Sequence, residues 1–145
     1  IEAWCLLAGE GLFPSLRLTL EKEHFPELCS WIEQRTAQCK LKVENTGNLS
    51  HGQVKQLYDQ AGALIYPSTF ESFGLPLIEA RQAGLPVLAS ELDYVRDAVD
   101  PEQTFDSGSA LSIARAVKRF LKVEEQPLLL RDAGKFIERI LERAA

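Results

Sequence analysis

Methionine is absent from this 145-residue chain, and cysteine, histidine and tryptophan are scarce, at three, two and two. The missing methionine and an opening Ile1-Glu2-Ala3-Trp4 that already reads as helix predict a piece of a longer protein. Cys5, Cys29 and Cys39 are odd in number, contain no Cys-x-x-Cys pair, and two sit among apolar neighbours. That usage predicts reduced thiols in a cytoplasmic protein. His24 and His51 are too few and too scattered for a zinc site and read as surface or capping residues. No apolar run approaches the roughly 18 residues that span a bilayer. A net charge of −5 leaves no global positive field to draw in nucleic acid or anionic lipid. Internal repeats and low-complexity segments are missing as well.

What is present is ordinary for a soluble globule: 46% hydrophobic and 26% charged residues. The length suits one domain that buries about 70% of its unfolded surface. Ile1, Ala3, Trp4, Leu7 and Ala8 lie at helical spacing, and the pattern stops at Gly9 and Gly11. Residues 15–20 alternate as a strand, and Phe25, Leu28, Cys29 and Ile32 predict an amphipathic helix over 25–37 with Pro26 in its first turn. A strand is predicted over 40–44. The turn-rich residues 45–49 then lead to Ser50 and Gln53, a capping box for a helix with Val54, Leu57, Tyr58 and Ala61 on one face. Strands at 63–66 and 86–89 bracket a loop and a helix ending at Gly84. A short helix to about Ala98, an edge strand at Thr104-Phe105 and a helix capped by Ser109 follow, and a last helix starts at Pro127. This alternation with short loops calls for one Rossmann-like parallel sheet with helices on both faces. Four clear strands are fewer than such a sheet usually holds, so a further strand is expected before Ile1.

The segment Pro67-Ser68-Thr69-Phe70-Glu71-Ser72-Phe73-Gly74-Leu75-Pro76-Leu77-Ile78-Glu79 carries the chemistry. A loop at the carboxyl end of a strand is where open α/β sheets hold ligands. A helix beginning near Leu75 leaves the amides of Ser72, Phe73, Gly74 and Leu75 as unpaired donors at its positive end, which is an anion site. Gly74 lets the backbone approach a ligand, and Pro76 has no N–H to lose in a first turn. Glu79 lies one turn inside, and helical side chains lean back toward the N-terminus, so its carboxylate borders the same cavity as Glu71. Two carboxylates repel a bare phosphate. They suit a diphosphate flanked by hydroxyls, because carboxylates accept paired hydrogen bonds from diols. A single glutamate is more often solvated, and Glu79 could pair with Arg81 or Arg115. The whole loop, set between strand and helix, is the stronger signal.

At these residues the chain resembles the group-one glycosyltransferases of the GT-B fold. Their mark is Glu, seven residues, Glu within a stretch matched here from Pro67 through Glu71, Phe73, Gly74, Leu75, Pro76, Glu79, Ala80, Gly84 and Pro86 to Val87. The resemblance runs over nearly the whole chain and weakens toward both ends. It implies the C-terminal, donor-binding half of a retaining transferase that uses a nucleotide-diphosphate sugar and no metal. By that likeness Glu71 is the catalytic carboxylate and holds hydroxyls of the donor sugar. Ser72, Phe73, Gly74 and Leu75 face the sugar and diphosphate, Glu79 binds the ribose, and Thr46, Gly47, Asn48 and Leu49 flank the base. The latter loop also reads well as a plain turn before a helix.

The family's basic pair after its first strand, which contacts the diphosphate, is expected at positions that precede Ile1, and Thr19-Leu20-Glu21-Lys22 stands where many members have a glycine-rich turn. The N-terminal acceptor domain is expected to be a separate part of the protein, and any membrane contact is expected through it. The fragment alone is expected not to transfer sugar. Two other readings are a nucleotide-sugar epimerase or hydrolase of the same fold, and a non-catalytic α/β binding domain. Trp4, Trp31, Phe25, Phe120 and Phe136 read as core, and Arg96 and Lys118 as surface charges.

Overall fold

Strand and helix alternate along the chain in the order the spacing predicts. A computed structural model describes residues 1–71 and 73–124. The elements are α1 (Glu2–Gly9), β1 (Leu16–Leu18), α2 (Pro26–Cys39), β2 (Val43–Asn45), α3 (His51–Gln60), β3 (Leu64–Tyr66), α4 (Leu75–Gln82), β4 (Val87–Ser90), α5 (Asp93–Ala98), β5 (Gln103–Phe105) and α6 (Ala110–Phe120). The last helix, from Pro127, and Phe136 within it lie outside the described residues.

Local chemistry sets most boundaries. Ser50 N–H donates to Gln53 Oε1 at 2.9 Å, so the capping box starts α3 as predicted. The Ser109 hydroxyl accepts from the Ser112 amide at 3.2 Å at the start of α6. The strand expected at 40–44 begins only at Val43. Lys40 closes α2 with φ 53°, and the amides of Lys40 and Leu41 turn back to the carbonyls of Ala37 and Thr36. Such a left-handed closure ties up residues that would otherwise extend into the strand.

Every pairing is parallel, but the described strands form two ladders and not the single sheet expected. β1 pairs with β2, and β4 lies between β3 and β5. Packing joins the two ladders, since Leu16 of β1 and Ile65 of β3 sit on the same core. That core collects Trp4 and Leu7 of α1, Leu88, Phe105, and Ala114 and Val117 of α6. The opposite face of β4 offers Val87 and Ala89 to Leu77 and Ala80 of α4 and Val95 of α5. β4, buried along its whole length, is therefore covered on both faces by helices, as a parallel strand must be.

Several side chains depart from their expected places. Trp4 is core, and its indole N–H donates to the Pro14 carbonyl at 2.9 Å. Phe25 and Trp31, by contrast, are 52% and 40% exposed, because α2 buries only Cys29 and Ile32. Phe120 is half-buried against the first core. Lys118 is no surface charge: it is 7% exposed, and its ammonium donates to Glu10 at 2.9 Å. Arg96 is exposed and bound to Glu91 at 2.6 Å. Cys5 and Cys39 form a disulfide instead of reduced thiols, because α1 and the end of α2 bring their Cα atoms to 5.5 Å. Cys29 is buried and free.

Candidate active site

β3 ends at Tyr66, and the chain turns at the carboxyl edge of the sheet before entering α4. Neighbouring elements hold that turn. The Tyr94 hydroxyl of α5 donates to the Ser68 carbonyl at 3.1 Å, and the Ser90 hydroxyl of β4 reaches the Tyr66 carbonyl at 3.5 Å. Ser68 Oγ donates in turn to the Phe70 carbonyl at 3.1 Å.

Gly74 makes the entry into α4 with φ 60°, a conformation that favours glycine. Its position is also crowded: an added Cβ would stand 3.1 Å from Leu77 Cδ1. The Gly74 carbonyl accepts from the amides of Leu77 at 2.9 Å and Ile78 at 3.4 Å, so the helical ladder begins there. The amides of Phe73, Gly74 and Leu75 donate to no described residue, and Pro76 has none. Among the described residues these three amides, without a partner, lie at the positive end of the helix dipole. Ser72, assigned to the same cluster, lies outside the described residues. Around this end Glu71 is exposed, and Phe70 and Phe73 project at 87% and 70% exposure.

Glu79 is half-buried one turn into α4. It lines a cleft of about 240 Å³ between α3 and α4, together with His51, Val54, Lys55, Tyr58, Gln82 and Ala83. His51 Nδ1 is 3.9 Å from Glu79 Oε1. Arg81 is not its partner. The Arg81 guanidinium binds Glu102 at 2.7 Å and also donates to the Asp100 carbonyl. Glu102 accepts from the Val87 amide at 2.6 Å as well, so this pair ties α4 to the start of β4. Burial raises the pKa of Tyr58, and the nearby Glu79 charge adds to it.

The loop at Thr46–Leu49 is held from behind. Thr46 donates to the Leu18 carbonyl through both its amide, at 2.8 Å, and its hydroxyl, at 2.9 Å. Gly47 turns with φ 70° and Asn48 is exposed. Leu49 is half-buried just before the Ser50 cap, and α3 then carries His51 to the mouth of the cleft. The predicted base-side loop is therefore linked to the Glu79 cleft through the first turn of α3.

Sequence reasoning missed Asn45, His51 and Tyr66. The Asn45 side chain bonds both the amide and the carbonyl of Leu20 at 2.9 Å, tying together the loops after β1 and β2. Nothing local marked it. His51 stood beside a visible cap, but which helix faced it did not. Tyr66 Oη is buried and has no hydrogen-bond partner among the described residues. Burial, followed by the nearby Glu71 carboxylate, pushes its pKa well above the usual phenol range.

Comparison with known proteins bears on family and fold. The family of group 1 glycosyl transferases matches residues 1–136. The serotype-specific mannosyltransferase WbdA of Escherichia coli is 39% identical over 126 residues, which cover 86% of this chain and 15% of the relative. A glycogen synthase of Mycobacterium tuberculosis is 32% identical over 81 residues, 56% of this chain and 20% of its own length. Among solved structures, the sucrose-phosphate synthase of Thermosynechococcus elongatus superposes with a TM-score of 0.68 at 25% identity, covering 84% of this chain and 33% of that one. Anabaena HepE, in complex with UDP and glucose, superposes at 0.66 and 18% identity over 84% of this chain and 35% of its own, a likeness of fold alone. The chain spans a tenth to about a seventh of the WbdA relatives and about a third of these structures. Among the described residues no helix is long and apolar enough to cross a membrane. The layout is the Rossmann-like α/β arrangement of GT-B enzymes, and the chain belongs to the group 1 glycosyltransferases.

Proposed function

We propose that this chain binds the donor in a retaining glycosyltransferase that moves a sugar from a nucleotide-diphosphate sugar to a hydroxyl of an acceptor. One observation carries the reading: the amides of Phe73, Gly74 and Leu75, which donate to no described residue, open α4 between two carboxylates, Glu71 outside the helix and Glu79 one turn in. The amides and the helix dipole take the diphosphate charge without a metal. Glu71 accepts from hydroxyls of the sugar, and Glu79, at the wall of the α3–α4 cleft, accepts from the ribose. The loop at Thr46–Leu49 lies beside the base. The acceptor is held by a further domain of the complete enzyme. That the Anabaena neighbour is a complex with UDP and glucose supports this class of donor.

The test is calorimetry of the complete polypeptide carrying this sequence with UDP-, GDP- and ADP-sugars, with and without a chelator. One of the three donors is expected to bind, with an affinity the chelator leaves unchanged. Binding of none refutes the donor role, and binding abolished by the chelator refutes the metal-free part. Product analysis with the bound donor then reads retention from the anomeric configuration.

A further inference from the structure

The hydroxyl groups around the loop after β3 differ in one respect. Tyr94 Oη commits its hydrogen to the Ser68 carbonyl, and Ser68 Oγ commits its own to the Phe70 carbonyl, each at 3.1 Å. Tyr66 Oη, although buried, makes no hydrogen bond of good geometry among the described residues. A buried hydroxyl without a partner destabilises a fold, which keeps one only when something else is gained. Tyr66 is the last residue of β3, so its ring is anchored by the sheet, while Glu71 follows five residues later on the exposed loop. Among the described residues, the Glu71 carboxylate, Ser68 and Tyr94 are near enough to act on the phenol. Of these the carboxylate is the strongest acceptor and has several free lone pairs.

We infer that Tyr66 is a positioning residue for Glu71, its phenolic O–H donating to the carboxylate when a donor sugar draws that side chain over the strand end. The inference rests on the donor-binding reading and adds the group that sets the direction of Glu71. An exposed glutamate on a loop samples many rotamers, and a hydrogen bond from a fixed ring selects those with an oxygen turned toward the sugar. In this role the phenol acts through Glu71 and makes no contact of its own with the substrate. Its removal should therefore be felt only by ligands that use Glu71.

The experiment measures the affinity of the complete polypeptide for a nucleoside diphosphate and for the matching nucleotide sugar, in wild type, Tyr66→Phe, Glu71→Gln and the double variant. Tyr66→Phe is expected to weaken the nucleotide sugar about fivefold to tenfold and to leave the nucleoside diphosphate unchanged. The double variant should bind no worse than Glu71→Gln alone, since coupled residues are not additive. Thermal unfolding of Tyr66→Phe should stay at or above wild type, because the change removes an unpaired buried hydroxyl. Equal affinity of Tyr66→Phe and wild type for the nucleotide sugar overturns the inference and leaves the donor reading standing. So does an additive double variant, or a parallel loss of both ligands together with thermal stability, which marks a merely structural role. Failure of wild type to bind any nucleotide sugar refutes the donor reading itself, and this inference with it.

Discussion

His51 Nδ1 faces Glu79 Oε1 at 3.9 Å across the cleft between α3 and α4, while the adjacent Arg81 is held by Glu102. Glu79, within α4, and Glu102, bound to Arg81 of the same helix, therefore differ in role. Glu102 is neutralised by a fixed cation, and Glu79 keeps acceptor capacity toward the cleft. Its nearest basic group, 86% exposed at the mouth of that cleft, is a side chain that a ligand can displace.

Glu79→Gln is expected to lower affinity for the nucleoside diphosphate about tenfold, the order of a hydrogen bond to a charged group. Glu71→Gln should spare the nucleoside diphosphate and weaken only the nucleotide sugar. Calorimetry with both ligands separates the two glutamates. Unchanged nucleoside diphosphate affinity in the Glu79 variant removes its ribose role.

Gly74→Ala meets two obstacles, a φ of 60° and a Leu77 methyl 3.1 Å from the new Cβ. The left-handed conformation alone costs a side-chain-bearing residue roughly 1–2 kcal/mol. Denaturant unfolding should show a loss of at least that order, accompanied by weaker nucleotide binding as the amides of Phe73 and Leu75 shift. Wild-type stability in this variant would mean that Leu77 moves aside and that the entry into α4 is not strained.

Glu102 gives a pH signature. Burial tends to raise its pKa, but the bonds from Arg81 and the Val87 amide outweigh that and hold it below the usual carboxylate value. A depressed pKa contributes stability that is present above the unfolded-state value, about 4.3, and is lost as pH falls through the folded-state value. With the side chain about one-third exposed, the contribution is on the order of 1 kcal/mol after solvent screening. Glu102→Gln should therefore unfold more easily than wild type at neutral pH, and the two should converge in acid. A gap that persists unchanged in acid denies the ion pair this role.

The Cys5–Cys39 disulfide closes a loop with a sequence separation of 34. Chain-entropy arguments assign such a loop about 3–4 kcal/mol. Thiol labelling of the unfolded, unreduced protein, read by peptide mapping, should mark Cys29 and spare Cys5 and Cys39, and a reductant should lower the midpoint of denaturant unfolding. Labelling of all three in protein purified without a reductant would return the chain to the reduced state that its cysteine spacing predicts.

The residues themselves determined whatever depends on neighbours within a turn or two. The alternation of strand and helix, the Ser50–Gln53 box, the Ser109 cap and the entry at Gly74 and Pro76 were all legible, because spacing and backbone preference act locally. The segment from Pro67 to Val87 also carried the family likeness, since its glycine, proline and glutamates are contiguous. Only tertiary structure decided which charges and thiols meet. Arg81 finds Glu102 at a separation of 21 residues, Lys118 finds Glu10 at 108, and Cys5 finds Cys39 at 34. The cleft beside Glu79 and the unpaired phenol of Tyr66 belong to the same class. Each depends on which elements pack side by side and how they are rotated, and a periodic pattern records the buried face of a helix without naming the element that covers it.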